Sequence, residues 1–237
     1  MRIIPAIDII EGKCVRLTRG DFSTRKIYHE DPFEVAREIE DTGIRYIHLV
    51  DLDGARQKKI VNHRILEKIA SGTSLEIDFG GGIRSDSDIE TAFASGARQV
   101  TAGSIAATNP EIMQLWLAKY GNRRIILGAD SRERKISYNG WQKETDEDVV
   151  QFIQRYFSHG FKYVICTDVS RDGMLEGPAT DLYREILKKV NVDLIASGGI
   201  SSLKDIEEVK KAGCEGVIIG KALYEGVLKL SELRDLC

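Results

Sequence analysis

Two aspartates in this 237-residue chain close apolar runs: Asp8 ends the stretch 2–8 and Asp130 the stretch 124–130. If each run is a strand of one parallel sheet, both carboxylates reach the same edge. Proton transfer between carbon and oxygen asks for that pairing, one carboxylate ionised to take a proton and another held neutral to give one, with different surroundings keeping their pKa values apart. A lone strand-end aspartate as often caps a loop, so the pair carries the reading.

A second signal is built from glycine. Phe79-Gly80-Gly81-Gly82-Ile83-Arg84 is echoed about 117 residues later by Ser197-Gly198-Gly199-Ile200-Ser201. Each phrase follows an apolar run and precedes a helical stretch that opens on Ser or Asp. Glycine lets consecutive backbone N–H groups converge on an anion, and a helix start adds partial positive charge. Asp51 with Asp168, and Gly103-Ser104 with Gly220-Lys221, repeat at the same offset, which suggests an internal duplication. Gly81, Gly82, Gly103 and Ser104 would make one phosphate cradle, and Gly198, Gly199 and Gly220 its twin. Two related cradles imply a long ligand with a phosphate at each end and the reactive centre between them. Close packing of helix on strand also uses glycine, and only the repetition lifts the signal above that.

Other polar residues cluster near the same strand ends. Asp51, Asp53 and Asp168 are read as bonding loop N–H groups, while Asp172 stands as a rival acid. No metal is expected, because no histidine joins these carboxylates: His48 lies inside a strand and is read as core, and His29, His63 and His159 as loop or helix-end residues. Residues 9–30 form the longest loop, with Arg16, Arg19, Arg25 and the hinge candidates Gly12 and Gly20, and are expected to act as a lid. Of these arginines, Arg19 is the substrate-binding candidate. Trp141, in a polar segment, suits stacking on a flat heterocycle or covering its own loop.

Elements that position such residues follow from the apolar pattern. Strands are expected at 2–7, 46–50, 75–79, 99–102, 124–129, 163–167, 192–196 and 216–219. They are nearly continuous apolar runs, the pattern of a parallel sheet covered on both faces. Asp31-Pro32 and Asn109-Pro110 announce helices over 33–42 and 111–120; others are expected over 146–158, 181–189 and 202–212, and from a cap among 85–87 to Gly96. Eight βα units with an internal repeat predict an α/β fold, a (β/α)8 TIM barrel of two duplicated half-barrels, roughly 1–121 and 122–237, as a single domain. A doubly wound open sheet is the alternative.

Composition narrows the partners. A hydrophobic fraction of 42% supports a substantial core, and a formal charge of −3 gives no electrostatic footprint for nucleic acid or an anionic membrane. No apolar run approaches the roughly 20 residues of a membrane span. A cytoplasmic protein, monomeric by default, is expected, with Cys14, Cys166, Cys214 and Cys237 as free thiols.

These residues together resemble the histidine-biosynthesis barrels, most closely the phosphoribosylformimino-5-aminoimidazole carboxamide ribotide isomerases, over the whole chain. The carriers are Ile4-Pro5-Ala6-Ile7-Asp8, Gly12-Lys13-Cys14-Val15-Arg16-Leu17, Val50-Asp51-Leu52-Asp53-Gly54-Ala55, Gly80-Gly81-Gly82-Ile83-Arg84, Thr167-Asp168-Val169-Ser170-Arg171-Asp172-Gly173 and Ser197-Gly198-Gly199-Ile200. The resemblance implies an Amadori rearrangement of a substrate bearing two phosphoribosyl groups, with Asp8 as base and Asp130 as acid. Asp172 matches another position proposed as the acid. It further implies that Thr167 positions the reacting sugar, that Arg84 and Gly173 join the substrate-binding set, that Trp141 and Arg19 close over the ligand, and that no cofactor takes part. The sister barrel, the cyclase subunit of imidazole glycerol phosphate synthase, shares both aspartates but has a Val-Val-Lys-Gly phrase where this chain has Cys14-Val15-Arg16-Leu17. A non-catalytic barrel that binds a phosphorylated metabolite is the reading from another class. Ser131 and Met174 depart from the family pattern, where valine and threonine are common.

Overall fold

A computed structural model describes residues 1–236, so the expectation for Cys237 lies outside the described residues. Its strands are β1 (Arg2–Ile10), β2 (Lys13–Thr18), β3 (Asp21–His29), β4 (Tyr46–Asp51), β5 (Glu76–Gly80), β6 (Gln99–Ala102), β7 (Ile125–Gly128), β8 (Ser131–Arg132), β9 (Lys135–Tyr138), β10 (Lys143–Asp148), β11 (Tyr163–Thr167), β12 (Asp193–Ser197) and β13 (Gly216–Ile219). The helices are α1 (Pro32–Asp41), α2 (Leu52–Gln57), α3 (His63–Gly72), α4 (Asp86–Ala94), α5 (Ser104–Thr108), α6 (Pro110–Tyr120), α7 (Val149–Ser158), α8 (Thr180–Lys189), α9 (Leu203–Lys211), α10 (Lys221–Tyr224) and α11 (Leu230–Arg234). Eight parallel strands, β1, β4, β5, β6, β7, β11, β12 and β13, close when β13 pairs with β1 from Arg2↔Gly216 to Pro5↔Ile219. The fold is therefore a (β/α)8 barrel, not an open sheet.

Successive side chains of a strand point to opposite faces, and that parity sorts the barrel residues into layers. Ile3, Ile7, Ile47, Leu49, Ile125, Leu127, Val164 and Cys166 face outward into the large core beneath the helices. Inward, Arg2 donates to Gln99 Oε1 at 3.0 Å and to the Tyr163 hydroxyl at 3.1 Å, and its guanidinium lies over the Tyr46 and Tyr163 rings, plugging one end. Ile4, Ala6, Ile126, Ile165, Ile195 and Ile218 form the middle layer. Two residues beyond Ala6, Ile165 and Ile195, the same parity presents Asp8, Thr167 and Ser197 at the other end, where His48, two residues beyond Tyr46 on β4, joins them. An apolar floor thus lies directly under a polar mouth.

Helix starts obey their sequence signals. Asp31 accepts from Phe33 N with Pro32 in the first turn, Asn109 does the same for Ile112 N, and Ser85 and Ser202 cap α4 and α9. The expected helix over 146–158 begins instead at Val149, capped by Asp148, because residues 143–148 extend as β10. Helices α2 and α3 stand where none was expected; Asn62 offers no side-chain cap to α3.

The region read as a first loop is a β-hairpin. Strand β2 runs antiparallel to β1 (Asp8↔Val15, Ile9↔Cys14) and pairs with β3. Its turn, Arg19-Gly20, has φ of 52° and 72°, the positive values a tight two-residue hairpin turn requires. After β7 a second excursion, β8–β9–β10, forms a three-stranded antiparallel sheet. The two tips meet: a Cβ on Gly20 would lie 2.5 Å from Trp141 Cε3. Among the described residues, Cys14, Cys166 and Cys214 are free and buried.

Candidate active site

The strand ends surround a cavity of about 340 Å3 at the barrel mouth. Asp8, 8% exposed, accepts from Arg16 Nη1 at 2.7 Å. Burial raises its pKa, while Arg16 and His48 pull it back. Arg16 Nη2 also faces Asp172 Oδ1 at 3.8 Å, and the guanidinium lies so close to Gly220 that a Cβ there would come within 2.4 Å of it. Asp172 is pushed up to about 6 by burial, with Arg16 opposing and the negative charges of Asp8 and Asp130 adding to the rise.

Asp130 has different company. Trp141 Nε1 donates to its Oδ2 at 2.8 Å, and Thr167 provides a further hydrogen bond. Burial again raises the pKa; these neutral donors and the charge of His48 only moderate it. No arginine or lysine pairs with this carboxylate among the described residues.

His48, read from sequence as core, instead lines the cavity. Its Nδ1 is 2.5 Å from Asp78 Oδ2, and Thr101 Oγ1 donates to both Asp78 oxygens at 2.7 and 2.8 Å. Burial alone would lower the imidazole pKa, but Asp78, with Asp8 and Asp130, outweighs it and raises it. Strand parity is the signal that could have placed His48 here, since it shares the inward set with Tyr46. From sequence Arg16 is one of three basic loop residues and part of the resemblance phrase, with no site role; the pairing of β2 with β1 singles it out.

The glycine turns occupy the same mouth. Gly81, Gly82, Gly103 and Ser104 line it on one side, Gly198, Gly199, Gly220 and Gly173 on the other. Gly81 and Gly198 both have φ of 93°, and a Cβ would reach the Asp51 carbonyl oxygen at 2.2 Å or that of Asp168 at 2.8 Å. The repeated phrase therefore answers a repeated backbone crossing as well as any anion. Arg84 hydrogen-bonds Asn139 Oδ1, and Ser104 Oγ accepts from Asn139 N at 2.9 Å, tying the β9–β10 turn to that side. Opposite, Lys221 Nζ donates to Gly173 O at 2.8 Å. Arg19 does not line the mouth; it borders a shallower cleft beside Ser131 and Asp168.

Asp51, as expected, organises a loop, accepting from Gly54 N, Val61 N and Asn62 N at 2.7 to 2.8 Å. Asp53 accepts from Glu11 N at 2.6 Å. No helix of the described residues is long and apolar enough to cross a membrane.

A closed barrel with buried carboxylates and paired glycine turns at its mouth has the build of a (β/α)8-barrel enzyme. The model of the family described as histidine biosynthesis protein matches residues 2–229, and the chain belongs to that family. Proteins named 1-(5-phosphoribosyl)-5-((5-phosphoribosylamino)methylideneamino)imidazole-4-carboxamide isomerase resemble it along nearly all their length. The one from Flavobacterium johnsoniae is 57% identical over 236 residues, 99% of this chain and 98% of the relative. Those from Parabacteroides distasonis and Bacteroides thetaiotaomicron are 56% and 54% identical, each covering 98% of the relative. Within the family, the chain is placed with the isomerases.

Proposed function

We propose that this protein acts on the substrate in its relatives' name, converting the aminoaldose to the aminoketose by an Amadori rearrangement with Asp8 as base and Asp130 as acid. The observation that carries the reading is the difference between the two carboxylates: Asp8 is ion-paired to Arg16 at 2.7 Å, whereas the hydrogen bonds to Asp130 come from neutral donors, Trp141 and Thr167, with His48 acting on both carboxylates through its charge alone. The pairing favours an ionised Asp8 and the burial a protonated Asp130.

In the first step Asp130 gives its proton to the ribose ring oxygen as the C1–O bond breaks, leaving C1 doubly bonded to nitrogen. Asp8 then removes the C2 proton, and the electrons of that bond pass through C1 to the nitrogen, giving an enaminol. Loss of the proton from the C2 hydroxyl oxygen and protonation at C1 yield the ketone. The formula is unchanged and no redox partner is needed. Gly81, Gly82, Arg84, Gly103 and Ser104 are proposed to hold one phosphate, and Gly173, Gly198, Gly199 and Gly220 the other. Arg19 would join the site from the rim by movement of the hairpin tip. We further read the chain as one domain of two half-barrels, monomeric and cytoplasmic, working without a cofactor.

Asp172 is the second candidate for the acid, since its carboxyl is pushed up to about 6 and it shares Arg16 with Asp8. The test is the absorbance change of the purified protein with the aminoaldose, run beside Asp8→Asn, Asp130→Asn and Asp172→Asn. Loss of turnover in the first two with binding retained supports the assignment. Turnover surviving in Asp130→Asn but lost in Asp172→Asn would move the acid to Asp172, and an inactive native protein would remove the reading.

A further inference from the structure

Ser137 Oγ is buried and has no hydrogen-bond partner among the described residues. The residue is 4% exposed and lines the barrel-mouth cavity. Its direction follows from strand parity: Ile136, the preceding residue of β9, enters the large core, so Ser137 faces the other way, over the mouth. The Ser137 N–H donates to the Asp130 carbonyl oxygen at 2.8 Å, and further along the same excursion Trp141 Nε1 holds the Asp130 carboxylate. Ser137, Asp130 and Trp141 make one wall.

An unpaired buried hydroxyl destabilises the fold where alanine would not. The other buried side-chain atoms in that condition are Arg16 Nε, His63 Nδ1, Tyr120 Oη and Glu215 Oε2. Of these only Arg16 also lines the mouth, and its guanidinium already serves Asp8. Ser137 is thus the one neutral group of this set that faces the ligand space. A hydroxyl both donates and accepts, which matches a sugar hydroxyl, and being neutral it leaves the charge balance at Asp130 undisturbed.

We propose that Ser137 is a substrate-contacting residue whose hydroxyl hydrogen-bonds a hydroxyl of the ribose that Asp130 opens, and so selects for a hydroxylated sugar at that position. This rests on the rearrangement proposed above. A site built to bond a substrate hydroxyl rejects an analogue lacking it because its own polar group stays unpaired.

The test compares native protein, Ser137→Ala and Ser137→Thr in kcat and KM for the aminoaldose, in the unfolding midpoint without ligand, and in binding of inorganic phosphate. The expected result is a kcat/KM about tenfold lower in Ser137→Ala, a midpoint equal to or above the native one, unchanged phosphate binding, and recovery in Ser137→Thr, which keeps the hydroxyl. A Ser137→Ala variant within twofold of native kcat/KM overturns the contact while leaving the rearrangement standing, as does a loss that only tracks a lowered midpoint. A native protein that neither binds nor converts the aminoaldose overturns both.

Discussion

Arg16 Nη1 lies 2.7 Å from Asp8 Oδ2, with only 10% and 12% of the two side chains exposed. The pair crosses from β2 to β1, so the hairpin that covers the mouth also brings the counter-charge of the proposed base. Asp8 must be ionised to act, and Arg16 favours that form. In Arg16→Met the carboxyl rises further, and the acid limb of the kcat/KM profile is expected to move up by about one pH unit or more. A pH profile of the variant checks this. Breaking a buried pair is also expected to lower stability by about 3–5 kcal/mol, read by denaturant unfolding.

Trp141 acts on the other limb. Its hydrogen bond lowers the pKa of Asp130, so Trp141→Phe lets that carboxyl keep its proton to higher pH. The basic limb is expected to shift upward while the rate falls by about 10- to 100-fold at neutral pH. The same profile, measured for Trp141→Phe, separates the two limbs.

Asp172 links the site to stability. Its carboxyl ordinarily titrates at 3.8 and here is pushed up to about 6. Between those values the folded protein holds a proton that the unfolded chain has lost, so stability falls as pH rises through this window and the loss is complete above it. At about 1.4 kcal/mol per pH unit the effect is about 3 kcal/mol. Asp172→Asn is therefore expected to gain up to about 3 kcal/mol over the native protein near pH 8 and almost nothing near pH 4, by thermal or denaturant unfolding at the two pH values.

Backbone crowding predicts unequal costs for equal substitutions. Gly199 and Gly121 both have positive φ, 84° and 82°, but a Cβ on Gly199 would lie 2.2 Å from Gly177 O, while one on Gly121 meets nothing within 4 Å. Gly121→Ala carries conformational strain alone, about 1–3 kcal/mol for a backbone at ψ of 160°, a region nearly confined to glycine. Gly199→Ala must also move a backbone segment and is expected to cost at least about 3 kcal/mol, compared by unfolding midpoint.

The barrel strands were legible because a strand covered on both faces is apolar throughout: Ile125–Gly128 and Gly216–Ile219 are wholly buried. Caps at Asp31, Ser85 and Asn109 announced their helices for an equally local reason. The two antiparallel excursions were not legible. Strand β3 is exposed over most of its length and Lys143–Asp148 is largely charged, so neither carries an apolar pattern. Asp8 and Asp130 could be picked out because each follows an apolar run, although β1 continues past Asp8 to Ile10; Arg16 and His48 depend on register, on which residue lies opposite which. Ser137 depends on the absence of a partner, a property no sequence displays.

The most direct test of the central claim follows the hydrogen on the ribose carbon. With aminoaldose carrying deuterium at C2, the native protein is expected to show a normal primary isotope effect and to release the label, while Asp8→Asn binds the substrate and releases none. Label released by Asp8→Asn at the native rate would contradict the account, because some other group would then be removing that proton.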